Sequence, residues 1–188
     1  MAAEWITFDD SQKQRAELLL AGIRDGASKA ASRAINRAIL TARSESINKA
    51  REEYTVKAKD VRETLKISKA TPRRPIAVIS SLGAPLPLSS FQVSPKTVNG
   101  KRRSAIRVSV KKGGRQSFDR AFIARPSGQI DVYERAGKKR LPIRKLFGPS
   151  VPQMVGNPKV ISHIADKARE MMDKRLDHEI GRLLDGAR

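Results

Sequence analysis

The apolar positions of the chain change their period twice. Over residues 10–54 they recur at three- and four-residue intervals, the period of an α-helix. Ser11 and Gln14 fit a capping box, in which hydroxyl and amide side chain satisfy the first free N–H groups. Leu18, Leu19 and Ile23 follow as an apolar stripe, and Asp25-Gly26 predicts a break, with Asp25 as a second N-cap. Beyond it the stripe turns small: Ala27, Ala30, Ala31, Ala34, Ala38 and Ala42, joined by Ile35 and Ile39. A face this slight lets another helix approach closely, so Ala27, Ala31, Ala34, Ala38 and Ala42 are assigned as a helix-packing stripe. The competing reading is an exposed face chosen for helix propensity alone. A short helix is expected over 60–65.

From Pro72 the period falls to two. "PIAVIS", "FQVS", "SAIRVSV", "RAFIAR" and "QIDVYER" are short, rich in β-branched and aromatic residues, and separated by turn residues. In "SAIRVSV", Ile106, Val108 and Val110 share one face and Arg107 and Ser109 the other. Gly113-Gly114 and Pro126-Ser127-Gly128 read as turns of an antiparallel meander. "GAPLPLSS" (83–90) reads as loop or edge, since proline cannot donate to a ladder. The helical period then returns: Asn157-Pro158 is a start signal, Val160 to Leu184 keep the 3.6-residue repeat, and Gly186 is a stop. The expected fold class is α+β: N-terminal helices (1–70), a central antiparallel β-sheet (71–145), and an elbow with a long C-terminal helix packed on the sheet (146–188). All of it reads as one domain, with an N-terminal arm as an option.

Charge adds a partner class to this frame. There are 39 Lys and Arg against 19 Asp and Glu, a net +20. Such a balance favours a polyanion: nucleic acid, an acidic membrane surface or an acidic protein. Residues 101–145 hold 15 basic and 3 acidic residues, so +12 of the charge falls there. Lys101, Arg102, Arg103, Lys111, Lys112, Arg115, Lys138, Lys139 and Arg140 sit at expected loops or strand ends and form a candidate surface for DNA or an acidic partner. Phosphate contacts need only such charge and carry no sequence information. The bland alternative is a solvated basic surface. The sparse aromatics, 4% of the chain, argue against a single-strand stacking platform.

Catalytic chemistry is not legible. Cysteine is absent, which excludes disulfides and thiolate sites. His163 and His178 lie 15 residues apart on one expected helix, a separation of about 22 Å, so they cannot share a metal within one chain. Asp60 with Glu63, and Asp173 with Asp177, read as helix-surface ion pairs. "KKGGR" lacks the spacing of a phosphate-binding loop. No metal, no cofactor and no enzyme activity are expected. The N-terminus does not read as a signal peptide, and no apolar run is long enough to span a membrane. A soluble intracellular protein, or part of an assembly built inside a cell, is therefore expected.

"KKRLPIRKLFGPSVPQM" (138–154) joins the basic block to the last helix. Gly148-Pro149 is read as a turn, and Ser150 as the cap of a short helix with Pro152 in its first turn and Gln153 at the box position. With Pro142, Asn157 and Pro158, these residues make a stiff elbow. The run "RLPIRKLFGPSVPQM", the ending "KRLDHEIGRLL" and the block "ASRAINRAI…AREEYTVKAKDVRETLKI" together resemble the minor tail protein Z family of tailed bacteriophages. The match is carried by Arg33, Ala34, Asn36, Arg37 and Ala38, by Tyr54, Lys57, Ala58 and Leu65, and by Leu141, Pro142, Ile143, Gly148, Pro149, Ser150, Pro152 and Met154. It runs from about Ala27 to Leu184. The resemblance implies a structural virion protein without enzyme activity. Such a protein would complete the head-proximal end of a tail, join tail to head or neck, and sit in the virion tail after assembly in the host cytoplasm. It also implies other tail and neck proteins as partners and a homo-oligomeric ring with six-fold symmetry; the basic surface adds non-specific contact with genomic DNA in the lumen as an expectation, and no membrane partner is expected. The alternative from another class is a stand-alone basic nucleic-acid-binding protein.

Overall fold

The computed structural model describes residues 3–6, 10–98, 104–126 and 128–186, with side chains from residue 10 onward. Its spine is a pair of long helices, α2 (Gly26–Glu53) and α5 (Pro158–Asp185), each of 28 residues. On α2 the buried positions Ala30, Ala34, Ala38, Ala42, Ser46 and Ala50 recur every four residues. On α5 the buried Val160, Ile164, Ala168, Met172, Leu176 and Ile180 keep the same interval. Rows spaced by four are the ridges along which helices interdigitate. Polar side chains fix the direction: Arg33 reaches Glu179 and His163 reaches Glu45, so the helices run antiparallel. In this register Ala34, Ala38 and Ala42 come level with Leu176, Met172 and Ala168. Ala34 and Ala38 thus face the larger Leu176 and Met172, while Ala42 meets Ala168, small against small. Burying each large side chain is worth about 1.5–3 kcal/mol relative to exposure.

Two shorter helices flank this pair. α1 (Asp10–Leu19) lies against α2 and buries Ala16, with Leu20 buried just beyond its end. α3 (Ala58–Thr64) buries Val61; it starts two residues before the expected 60–65 helix and ends one residue short of it, because Leu65 already opens a strand. The expected α1–α2 break is present, but its chemistry differs. Asp25 holds a left-handed φ of 56° and makes no side-chain cap; only its carbonyl, accepting from Lys29 N–H, starts the helix. Likewise α1 begins at Asp10, which leaves Ser11 inside the first turn rather than at the cap.

The strands form four small antiparallel sheets among the described residues, rather than one central sheet. β1 (Ala3–Ile6), β3 (Ala77–Ser81) and β2 (Leu65–Ser68) make the first, with β3 in the middle. β4 (Pro85–Pro87) pairs with β11 (Phe147–Ser150). β5 (Gln92–Ser94), β6 (Ile106–Ser109) and β7 (Gln116–Phe118) form one meander. β8 (Ala121–Ala124), β9 (Asp131–Arg135) and β10 (Ile143–Lys145) form another. Gly113 and Gly128 adopt φ of 80°, the conformation their hairpin turns require.

The expectation that the C-terminal helix packs on the sheet gives way to helix–helix packing. Its closest partner is α2, which itself touches β3. Length explains this. A 28-residue helix extends about 42 Å, whereas strands of three to five residues span roughly 10–17 Å. The alanine face of α2 matches α5 end to end, and the strands do not.

Candidate interaction surfaces and the elbow

The basic loops are exposed. Lys111, Lys112 and Arg115 occupy the β6–β7 connection. That loop is tied to the end of α2, since Lys112 N–H donates to the Glu53 carbonyl at 2.9 Å and Lys111 bridges Tyr54. Lys138, Lys139 and Arg140 occupy the β9–β10 connection, closed by Ala136 N–H on the Pro142 carbonyl at 3.0 Å. None of these six takes an ion-pair partner among the described residues. The first loop leads into β7. The second extends past Glu134, which pairs with Ala121 just after the turn leaving β7. Topology thus places one loop before the three-residue β7 and the other beside the turn that follows it. Lys101, Arg102 and Arg103 lie outside the described residues.

At the elbow, Ser150 Oγ accepts from Gln153 N–H at 3.4 Å while Gln153 Oε1 accepts from Ser150 N–H at 2.8 Å. These two bonds are the capping box of α4 (Val151–Val155), with Pro152 in its first turn. Gly156 ends α4. Asn157 Oδ1 accepts from Lys159 N–H at 3.1 Å and caps α5, and Pro158 is the first residue of α5. The Asn157 amide also donates to the Tyr54 hydroxyl at 3.1 Å, tying the start of α5 to the end of α2. Gly148-Pro149 is not a turn. Both residues lie in β11, because proline's φ suits extended backbone and its partner β4 is itself an edge. Glycine is needed there for space: a Cβ on Gly148 would stand 2.7 Å from a Phe91 ring carbon. Pro142 stands apart from the elbow, exposed just before β10.

Two buried carboxylates escape sequence reasoning. Glu179, only 2% exposed, meets Arg175 at 2.9 Å, Arg33 at 3.4 Å, Arg182 at 3.9 Å and His178 at 4.0 Å. A carboxylate so far from water needs such partners. The i−4 and i+3 arginines of Glu179 are visible in sequence; Arg33, from the other helix, is not. Asp131 is also buried, paired through Oδ2 with Lys145, while its Oδ1 has no hydrogen-bond partner among the described residues. It lines an open cleft of about 530 Å³ beside Phe91, Val93 and Ile123, whose other ionisable groups are Lys57 and Lys96.

The remaining polar residues serve the fold. His163 bonds Glu45 at 2.9 Å across the helix seam, and His178 is exposed. Asp177 pairs with Arg15 of α1 at 3.0 Å, and Asp173 accepts from Gln12 of the same helix, so both bridge helices instead of pairing along one. Lys59 and Glu63 make an i,i+4 pair at 3.8 Å. Asn36 exchanges two hydrogen bonds with the Ala70 backbone, at 2.9 and 2.8 Å, pinning the chain that follows β2 onto α2. Among the described residues no group of His, Cys, Asp or Glu is placed to hold a metal, and no helix is long and apolar enough to cross a membrane.

A family model described as prophage minor tail protein Z (GPZ) matches residues 15–185. The chain belongs to this family. No curated protein and no solved structure matches it. It is thus a phage minor tail protein, a structural component of the virion tail that works among other tail proteins. The stand-alone nucleic-acid-binding alternative gives way. The matched span opens at Arg15, which pairs with Asp177, and closes at Asp185, the last residue of α5. It therefore takes in the whole helix seam and part of α1, which the residue-level resemblance from Ala27 onward leaves out.

Proposed function

We propose that this minor tail protein completes the head-proximal end of the tail and joins tail to head or neck as a subunit of a ring. Family membership over nearly the whole chain carries the reading. The six-fold symmetry suggested for the ring comes from the same family resemblance. Two features of the molecule support it. The α2–α5 pair is a long element whose seam is closed by alanine packing and by the Glu179 cluster, a suitable beam for a joint under load. The basic loops at Lys111–Lys112–Arg115 and Lys138–Lys139–Arg140 are exposed and take no ion-pair partner among the described residues. Facing the lumen, they would hold the genome end by screened attraction to phosphates, indifferent to sequence. Facing outward, they would meet an acidic neighbour. No chemical step is required; the action is geometry and charge. The test is a phage lacking this protein. Filled heads and tails that accumulate unjoined are the expected result, and joined particles with only a defective distal tip would overturn the reading.

A further inference from the structure

The helix pair carries an arginine-rich face and, on the opposite side of α5, a row of carboxylates. On one side, Arg33 and Arg37 of α2 lie one turn apart and continue to Leu40, which is 41% exposed. Across the seam stand Arg175 and Arg182 of α5, which with Arg33 converge on the buried Glu179. One carboxylate cannot use the donors of three guanidinium groups, each of which carries five N–H bonds. Among the described residues Arg37 has no ion-pair partner, and the buried Nε of Arg175 has no hydrogen-bond partner. This face is therefore a row of arginine in which the exposed Arg37 has no ion-pair partner among the described residues, with the exposed Leu40 one turn beyond it.

The other side of α5 carries a row of carboxylates among lysines and arginines. Asp166, Glu170, Asp173 and Asp177 follow at intervals of four, three and four, a helical stripe. At 100° per residue, Asp173 and Arg175 point about 160° apart, so the two faces cannot meet within one chain. The carboxylates of the stripe are engaged mainly by exposed partners: Asp166 with Arg169, Glu170 with Lys167, and Asp177 with Arg15. Exposed pairs of this kind contribute little and exchange readily. Leucines stand beside this stripe as well. Leu184 is 38% exposed and continues it, and Leu18 on α1, which Arg15 ties to Asp177, is 80% exposed.

We infer that the arginine face of one copy docks on the acidic stripe of the next. The arginine face offers Leu40 beside Arg37, and the stripe offers Leu184 in line with four carboxylates whose exposed cation partners a second copy's arginines would replace. A nucleic-acid phosphate would use the arginines but leave Leu40 without a partner. The contact joins two different faces, so it is heterologous, and repetition closes a ring or extends a filament. The inference supplies the subunit contact for the proposed ring and rests on that reading for its place in the tail.

The test exploits the absence of cysteine. Leu40→Cys with Leu184→Cys in one chain, treated with a flexible bis-maleimide, should give a ladder of covalent multimers in solution or in assembled tails. Each single variant should give none beyond background. In parallel, Arg37→Glu with Arg182→Glu, and Asp166→Lys with Glu170→Lys, should each lose self-association in sedimentation at low salt, and mixing the two should restore it. Circular dichroism checks that each variant folds. Monomers throughout with no ladder in tails would overturn the inference, as would dimers alone from the Leu40→Cys variant. So would loss of duplex DNA binding in the arginine variant with self-association unchanged. Tails that carry the protein at the head-proximal end without a ladder would leave the ring-end reading standing and sink this contact; a ladder from protein located elsewhere would do the reverse.

Discussion

Single residues at the elbow and the seam decide whether the helices hold their angle. Ser150→Ala removes half of the capping box and should cost about 0.5–2 kcal/mol in denaturant unfolding; an unchanged midpoint would remove the cap from the account. Gly148→Ala forces a methyl against Phe91 and should destabilise by about 1–3 kcal/mol, with part of that stability recovered by shrinking Phe91 to Leu. Glu179→Ala leaves three arginines converging on nothing and should cost about 3 kcal/mol or more, measured the same way. Titration gives a gentler signature. Lys49 and Lys167, hydrogen-bonded to Glu52 and Glu170, are held above the ordinary lysine value, and those two carboxylates below the ordinary glutamate value. Their contribution is therefore complete between the two ranges. It fades in acid as the carboxylates protonate through their lowered values, and in alkali as the lysines deprotonate through their raised ones. Carboxylate NMR titration should place Glu52 and Glu170 below free glutamate.

At the scale of elements, the helices are legible in the sequence and their partners less so. Periodicity locates α2, α3 and α5, and local signals such as Asn157-Pro158 and Ser150 with Gln153 mark their starts, because capping is a matter of a few adjacent residues. The strands from "PIAVIS" to "QIDVYER" are legible for the same reason. What stays hidden depends on residues distant in sequence: that α5 lies on α2, that Asn36 holds Ala70, that Tyr54 holds Asn157, and that the strands divide into several small sheets. Short strands such as β4 and β11 contain proline and carry no alternation to read. The alanine stripe is visible, but which helix it receives is not. Leucine at Ala34 and Ala38 together should overpack the seam by about 1–3 kcal/mol per site, with thermal unfolding as the readout. Wild-type stability in that double variant would mean that the face is slack, contrary to the full burial of both alanines.

At the scale of the whole molecule, composition alone points to the class of partner. The net +20 favours a polyanion or acidic partner, and the absence of cysteine rules out thiolate chemistry. The spatial arrangement of that charge is not legible in the sequence, since it depends on which strands pair across the hairpins. If DNA meets Lys111, Lys112 and Arg115, reversing two of these charges should flatten the salt dependence of duplex binding by about one log–log unit for each phosphate no longer engaged. Circular dichroism should stay unchanged. The central claim is one of position: this minor tail protein forms a ring at the head-proximal end of the tail. Electron microscopy of intact virions tests it most directly. The paired 28-residue helices, α2 and α5, should appear as repeated rods in a ring between tail tube and neck. Those rods at the distal tip, or as a single copy anywhere along the tail, would contradict it.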